Sequence, residues 1–193
     1  MPNVAPAPLQ ANTGAMEAAL AAIAAWVPSG AAIADLHAGV GTIGLALVAR
    51  CSPRLVRAVE INPAAEEPYQ ASAQLLQQHL RQQQGGELPP HLEFFAAAAG
   101  STPERWLDGT DVVVCDPPRK GLEPALLSCL ACPHCLPRSV RRLVYLSCGF
   151  PALRHDTEEL LASSCWMLVH TEAFLFFPGT DHIETLVVFD RVR

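Results

Sequence analysis

Two side chains capable of covalent and acid–base chemistry lie beside predicted strands in the C-terminal third of the chain. Cys148 comes directly after the predicted strand 141–147, and Glu184 lies near the start of the predicted strand 182–192. A cysteine thiolate is a strong nucleophile, and a carboxylate can act as a general base. Residues 182 and 184 of a strand share a face, so His182 and Glu184 are expected to point the same way. Taken singly, a cysteine is more often a buried core residue and a glutamate at a strand start more often a solvated one.

A glycine-rich segment predicts a nucleotide-like cofactor. The segment DLHAGVGTIGL (35–45) follows a predicted strand and opens a predicted helix. Glycine lets the backbone approach a ligand closely and enter the helix sharply. Glu60 ends the next strand, where a carboxylate typically accepts hydrogen bonds from ribose hydroxyls. The spacing fits a dinucleotide or S-adenosylmethionine, and an ordinary tight turn is the third alternative.

Asp116 opens a second loop, DPPRKGL (116–122), directly after an apolar strand. The two prolines impose a rigid, extended exit and so fix where the Asp116 carboxylate points. Carboxyl ends of strands in α/β sheets are where ligands bind. Many amino-methylating enzymes carry a similar Asp-Pro-Pro with an aromatic residue next, which stacks on the target base. Arg119 stands at that position here and argues against amino methylation.

The elements that must position these residues alternate along the chain. Predicted strands cover 31–37, 55–61, 93–97, 111–116, 141–147, 167–178 and 182–192, and predicted helices cover 14–26, 42–50, 64–84, 122–130 and 152–163. The alternation predicts an α/β fold with a mostly parallel sheet covered on both faces. The last two strands have no helix between them, which predicts an antiparallel C-terminal edge. Pro68 is expected to kink or shorten the third helix.

Composition narrows the class of protein. The chain has 193 residues, of which 50% are hydrophobic and 17% charged, and its net charge is −6. These values favour one domain over 1–193, with an irregular segment at 1–12, and exclude a disordered or fibrous chain. No apolar run reaches the roughly 18 residues of a membrane span, and the N-terminus does not resemble a secretory signal. A cytoplasmic protein with no membrane partner is therefore expected, although an organelle is not excluded. Its acidic balance argues against binding nucleic acid through bulk charge.

Seven cysteines, an odd number, favour a reducing compartment. Cys129, Cys132 and Cys135 recur at a spacing that can hold zinc or iron–sulfur, with His134 between the last two. A complete site needs a fourth ligand within reach. Reduced thiols are the preferred interpretation, and no metal is predicted.

Taken in order, the segments resemble the catalytic domain of the RNA (uracil-5-)methyltransferase family, which forms 5-methyluridine in tRNA and rRNA. The matching segments are LQAN (9–12), DLHAGVGTIGL (35–45), AVEI (58–61), DPPRKGL (116–122), VYLSC (144–148) with Leu153 and Asp156 behind it, and FPGTDHIET (177–185). The resemblance implies a Rossmann-like S-adenosylmethionine-dependent methyltransferase fold. It further implies that this single domain methylates carbon 5 of a uridine in RNA, with tRNA favoured over rRNA.

The resemblance also implies residue roles. Cys148 would be the nucleophile that adds to carbon 6 of uracil, and Glu184 the general base that removes the proton from carbon 5. The cofactor-binding positions would be Gln10, His37, Thr42, Glu60 and Asp116. Asp116 could orient either the uracil or the cofactor. The target base must leave its stack to reach the pair.

Three departures from the family pattern support an alternative function. Gly149-Phe150 stand where the family usually has Asn-Pro, and residues 96–99 offer no acidic or amide side chain for the adenine edge. Family members usually place an RNA-binding β-barrel ahead of the catalytic domain, whereas the resemblance in this sequence starts at residue 9. The basic residues left to capture RNA are Arg119, Lys120, Arg138, Arg141, Arg142 and Arg154.

The alternative is a catalytically weakened or vestigial S-adenosylmethionine-binding module that acts with a separate RNA-binding domain or subunit. A cytosine-5 RNA methyltransferase ranks lower. That class carries its cysteine in a Thr-Cys context together with a Pro-Cys motif, and neither is present here.

Overall fold

The computed structural model describes residues 12–83, 89–177, 179–180 and 183–192. Gln10 and His182 lie outside these ranges. The helices are α1 (Thr13–Ala24), α2 (Thr42–Cys51), α3 (Glu66–Gln83), α4 (Pro103–Leu107), α5 (Pro124–Leu130) and α6 (Phe150–Ala162). The strands are β1 (Ala32–Leu36), β2 (Leu55–Glu60), β3 (His91–Ala96), β4 (Val112–Cys115), β5 (Arg142–Ser147), β6 (Trp166–Phe174) and β7 (Glu184–Arg191).

The seven strands form one sheet in the order β3-β2-β1-β4-β5-β7-β6. The first five strands in this order pair in parallel, and β7 pairs antiparallel with both β5 and β6. The prediction of a mostly parallel sheet with an antiparallel C-terminal edge is confirmed. The chain changes direction across the sheet between β1 and β4, and ligands bind beside such a switch point, at the carboxyl ends of the strands.

Both faces of the sheet are covered, which explains the uninterrupted apolar runs. All four residues of β4 are buried, with alternate side chains entering opposite cores. Val113 belongs to the core under α5 and α6, whereas Val112 and Val114 belong to the core under α1 and α2. Burying a side chain of this size stabilises the fold by about 1.5–3 kcal/mol. The central strands are therefore a rigid base for the loops that follow them.

Two local features differ from the predictions. Pro68 lies in the first turn of α3, where a missing N–H leaves no helical bond unmade, so the helix continues from there to residue 83. The α-helix begins at Glu66 and not at residue 64, because Pro63–Ala65 form a 3-10 turn, so the predicted helix is shortened at its start and not interrupted at Pro68. The short helix α4 was not predicted. It is held by Trp106, which is 1% exposed and donates its indole N–H to the carbonyl of Ala99. Across the ranges given above, no helix has the length and apolar character to cross a membrane.

Candidate active site

The glycine-rich loop after β1 is built by left-handed backbone conformations. His37, Gly39 and Gly41 have φ angles of 61°, 55° and 85°. The Gly44 N–H donates to Oδ2 of Asp35 at 2.9 Å. A β-carbon at residue 44 would lie 2.6 Å from the same oxygen, so only glycine fits beside this carboxyl. The loop therefore folds tightly around Asp35, and its backbone lies at the carboxyl edge of the sheet.

Glu60, at the end of β2, is joined to the same loop. One carboxylate oxygen accepts the Gly39 N–H at 2.9 Å, and the other accepts the Asn62 N–H at 2.8 Å. Each carboxylate oxygen has further lone pairs to offer a ligand. Glu60 thus fixes the glycine-rich loop against β2, and its carboxylate oxygens can still accept hydrogen bonds from a ligand.

A cavity of about 440 Å³ lies at the carboxyl edge of the sheet, between the glycine-rich loop after β1 and the segment that follows β2. Its lining includes four predicted cofactor positions, namely His37, Thr42, Glu60 and Asp116. Gln10, the fifth position, belongs to the part of the chain that the structure does not describe. The sequence pattern therefore identified residues that the fold brings to one cavity.

Two buried polar atoms beside this cavity have no hydrogen-bond partner among the described residues: Oδ1 of Asp35 and Nδ1 of His37. Burial raises the pKa of Asp35 to about 7, although the Gly44 N–H opposes the rise. The other ring nitrogen of His37 lies 2.8 Å from a carboxylate oxygen of Glu123, which follows the DPPRKGL loop. Sequence reasoning missed Asp35 and Glu123; the only signal for Asp35 was a carboxyl placed just before the glycine loop.

Cys148 and Glu184 meet at the ends of adjacent strands. Ser147 of β5 lies opposite Thr185 of β7, so each of the two candidate catalytic residues is the next one toward the carboxyl edge of β5. Glu184 is 8% exposed, and Cys148 is half-buried. Cys148 also opens onto a mostly apolar cavity of about 1000 Å³ between α6 and the β6–β7 pair.

Charged neighbours act on the Cys148 thiol in opposite directions. Burial raises its pKa, and the negative charges of Glu184 and Asp116 raise it further. The Arg119 side chain hydrogen-bonds the thiol and, with its positive charge, lowers the pKa. Burial likewise raises the pKa of Glu184, and Arg119 opposes the rise. Arg119 is therefore the cation shared by both candidate catalytic residues, a role that sequence reasoning did not assign to it.

Asp116 connects the two parts of the site. It lines the smaller cavity, and its negative charge acts on Cys148. Burial raises the pKa of Asp116 to about 7, and Glu184 and Asp35 add to the rise. The carboxyl therefore lies where a cofactor in the smaller cavity would face a substrate at the thiol.

Asp156, on α6, positions the loop that carries Arg119. One of its carboxylate oxygens accepts the Leu122 N–H at 2.9 Å and the Tyr145 hydroxyl at 2.8 Å. A β-carbon at residue 149 would collide with the backbone carbonyl of Arg119. Gly149 thus allows the nucleophile loop to pack directly on the Arg119 backbone, which gives this departure from the family pattern a structural reason.

The arginines singled out for RNA capture divide between two edges of the sheet. Arg119 and Arg154 line the cavity beside Cys148. Arg141 and Arg142 lie at the opposite edge, at the start of β5, and Arg142 forms two hydrogen bonds with Asp190 there. The first pair is therefore the one that lies beside the thiol.

No protein-family model matches the chain. The chain is 34% identical over 182 residues to an uncharacterized RNA methyltransferase of Protochlamydia amoebophila, an alignment that covers 94% of this chain and 43% of the relative. A second such protein, from Thermosynechococcus vestitus, is 30% identical over 181 residues, covering 93% of this chain and 36% of the relative. The chain therefore spans less than half the length of these homologues.

Solved structures define the fold. The Pyrococcus abyssi tRNA (uracil-54, C5)-methyltransferase, in complex with S-adenosyl-L-homocysteine, superimposes with a TM-score of 0.73 at 24% identity, over 95% of this chain and 40% of that one. M. capricolum TrmK, also in complex with S-adenosylhomocysteine, superimposes with a TM-score of 0.63 at 14% identity, over 91% of this chain and 68% of that one. The chain thus has the Rossmann-like fold of S-adenosylmethionine-dependent methyltransferases.

Proposed function

We propose that the chain is the catalytic domain of an RNA methyltransferase that transfers a methyl group from S-adenosylmethionine to carbon 5 of a uridine. The observation that carries the proposal is the meeting of Cys148 and Glu184 beside Asp116, which also lines the cofactor-sized cavity. The homology to RNA methyltransferases supports RNA as the substrate class. Among RNAs we favour tRNA over rRNA.

The smaller cavity fits S-adenosylmethionine chemically. The unpaired Oδ1 of Asp35 suits the cationic amino group of the cofactor, and Glu60 suits the ribose hydroxyls. Thr42 and His37 complete the wall, and we assign Gln10 to the same site on the family resemblance. When bound, S-adenosylmethionine supplies an electrophilic methyl group.

Cys148 begins the reaction by adding to carbon 6 of the uracil ring. Carbon 5 of uracil is a weak nucleophile, and the addition makes an enolate in which carbon 5 can take the methyl group. Only the thiolate adds, so the hydrogen bond from Arg119 matters because it offsets the burial that raises the Cys148 pKa. Arg119 therefore promotes formation of the Cys148 thiolate.

Glu184 completes the reaction by removing the proton from carbon 5, after which Cys148 is eliminated and the ring double bond returns. A carboxylate whose pKa has been raised by burial is a stronger base than one in water. Because the carboxyl sits next to the thiol at the strand ends, both groups can act on adjacent carbons of one ring.

Asp116 is assigned to the substrate side of the cofactor. With a pKa of about 7, its carboxyl is often protonated at neutral pH and can then donate a hydrogen bond to a uracil carbonyl oxygen. Such a bond would strengthen as negative charge develops on that oxygen in the enolate.

A second candidate is a weakened or vestigial S-adenosylmethionine-binding module that depends on an RNA-binding domain or subunit. The observation that favours it is the run of four alanines at 96–99, which gives the adenine edge no polar side chain. Both candidates predict cofactor binding, and only the first predicts turnover.

Covalent trapping separates the two. The protein is mixed with S-adenosylmethionine and a tRNA stem-loop that contains 5-fluorouridine, and then run on a denaturing gel. Fluorine cannot leave carbon 5 as a proton, so an active enzyme stays attached to the RNA. We expect a shifted band that is lost in Cys148→Ala and kept in Cys132→Ser.

Calorimetric titration with S-adenosylhomocysteine accompanies the gel. Binding without a shifted band on either tRNA or rRNA stem-loops would favour the vestigial module. Absence of both binding and band would overturn both candidates. A band that persists in Cys148→Ala would show that another residue is the nucleophile.

A further inference from the structure

A second group of cysteines lies far from the proposed catalytic residues. Cys132 and Cys135 belong to the loop between α5 and β5, at the edge of the sheet where the parallel strands begin. Cys148 follows β5 at the carboxyl edge. The proposed methyl transfer uses neither Cys132 nor Cys135, so their arrangement needs a separate explanation.

The loop is held in place from several sides. The Leu136 N–H donates to the carbonyl of Cys132 at 3.0 Å, which closes one helical turn around the pair. Arg191, on β7, donates to the backbone carbonyls of Leu136, Pro137 and Val140. Trp166 donates its indole N–H to the carbonyl of Leu130 at the end of α5. The two cysteines therefore sit in a fixed turn.

Within this turn the two sulfurs face each other. The Cys135 N–H donates to Sγ of Cys132 at 3.2 Å, and the two side chains also hydrogen-bond one another. Cys135 is exposed and Cys132 partly exposed, and both are free thiols. Two cysteines separated by two residues, with neighbouring sulfurs, can close a disulfide with little backbone movement.

The hydrogen bonds make the two thiols unequal. Donation from the Cys135 side chain and backbone lowers the pKa of Cys132, and the same hydrogen bond raises the pKa of Cys135. Cys132 is thus the thiol that is more readily deprotonated and attacks first, whereas Cys135 keeps its proton until a disulfide is present beside it.

Cys129, the third cysteine of the cluster, is not part of this pair. It belongs to α5, its side chain is buried, and burial raises its pKa to about 11. No three His, Cys, Asp or Glu side chains in the described ranges are arranged to hold a metal ion. The geometry of Cys132 and Cys135 is that of a dithiol.

We propose that Cys132 and Cys135 form a thiol–disulfide exchange site whose substrate is a low-molecular-weight disulfide. The Cys132 thiolate attacks one sulfur of the substrate, forms a mixed disulfide and releases the other half as a thiolate. Cys135 loses its proton and attacks Sγ of Cys132, which forms the Cys132–Cys135 disulfide and releases the second half. Two protein thiols are oxidised, the substrate is reduced to two thiols, and the two protons from the protein end on those thiols.

Glutathione disulfide is the probe for the test. The reduced full chain is incubated with it, alkylated at intervals and mapped by mass spectrometry. We expect the parent to lose two hydrogens and to yield a peptide cross-linked between Cys132 and Cys135. Cys135→Ser should stop at glutathione attached to Cys132, and in Cys132→Ser the reaction at Cys135 should be about tenfold slower.

Cys148→Ser is the matched control and should leave the cross-link unchanged. Glutathione held on Cys148 in place of a Cys132–Cys135 cross-link in the parent would overturn the proposal. So would a Cys135→Ser protein whose Cys132 reacts no faster than Cys148. The readout is a covalent bond in the protein and does not depend on whether the chain methylates RNA.

Discussion

Cys148 and the Cys132–Cys135 pair show how one side-chain type acquires opposite properties at the two edges of one sheet. Cys148 is half-buried between two carboxyl groups, and burial with their negative charge raises its pKa. Cys132 lies near the surface and receives hydrogen bonds from Cys135, which lower its pKa. A single cation, Arg119, opposes the rise at Cys148.

The difference separates two kinds of reactivity. A thiol whose pKa is raised stays protonated and resists chance oxidation, which suits a nucleophile that should act only on a bound base. A surface thiol that is readily deprotonated reacts with any accessible disulfide. Burial and the identity of the neighbours, rather than the cysteine itself, therefore decide which chemistry each site can perform.

We expect the largest effect from a substitution that removes the proposed general base, Glu184. Glu184→Gln should lower turnover by about 10²- to 10⁴-fold, because the proton on carbon 5 is no longer removed. The covalent protein–RNA adduct should accumulate with ordinary uridine, since addition and methyl transfer still occur. Gel analysis measures the adduct, and release of tritium from carbon 5 measures turnover.

Glu172→Gln is the matched control, because Glu172 lies on β6 and lines the large cavity beside Cys148. It should turn over within about threefold of the parent. Equal losses in Glu184→Gln and Glu172→Gln would remove Glu184 from the mechanism.

The next effect concerns the cation that distinguishes the two cysteine sites. Arg119→Gln should raise the pKa of Cys148 further, because the thiolate loses both a hydrogen bond from a guanidinium and a nearby positive charge. At pH 8 we expect alkylation of Cys148 to slow by about tenfold. Iodoacetamide labelling is measured across a range of pH, and peptide mapping separates the cysteines. One experiment therefore gives the pKa values of Cys148 and Cys132.

Cys132 provides the internal control, since Arg119 is not among the causes of its pKa shift. Its labelling profile should be the same in the parent and in Arg119→Gln. A profile of Cys148 that does not move would show that Arg119 does not hold the thiolate.

The acidic surroundings of Cys148 also predict a pH dependence of stability. The folded-state pKa of Asp116 is about 7, well above the unfolded value of about 3.9. Between these values the folded protein binds the extra proton, so the contribution to stability is largest near pH 4 and is lost as pH rises through 7. Asp35 acts in the same direction.

Asp116→Asn should therefore flatten part of the decline in the free energy of unfolding between pH 4 and pH 7. Urea denaturation at several pH values measures it. Asp190→Asn is the control, because Asp190 pairs with Arg142 at the opposite edge of the sheet. A parent protein whose stability rises over this range would contradict the assignment.

We expect the smallest effect from a substitution that weakens the hydrogen bonds of Asp156, the residue that positions the loop carrying Arg119. Tyr145→Phe removes one hydrogen bond to the buried Asp156 carboxylate while the Leu122 N–H still donates to it. We expect a loss of about 1.5 kcal/mol in the free energy of unfolding, measured in urea. Tyr69→Phe, which loses a longer bond of 3.3 Å to the carbonyl of Glu93, should cost less.

Much of this protein followed from its sequence. Apolar runs that alternate with helical stretches favour a parallel sheet with helices on both faces, and in such a sheet the loops after β1, β4 and β5 lie at one edge. The four described cofactor positions lie in one cavity for that reason. That Cys148 and Glu184 are neighbours was not predictable in this way, because it depends on β7 lying between β5 and β6 in the sheet.

Only the tertiary structure decided how the site is tuned. Folding buries Asp35. It also brings Gly149 against the Arg119 backbone and Asp156 against the Leu122 N–H, and no local spacing relates the members of these two pairs. The hydrogen bond from Arg119 to the thiol and the facing sulfurs of Cys132 and Cys135 depend on how loops pack. Periodicity fixes which residues enter a core, whereas desolvation and pairwise charge depend on distances that exist only once the chain has folded.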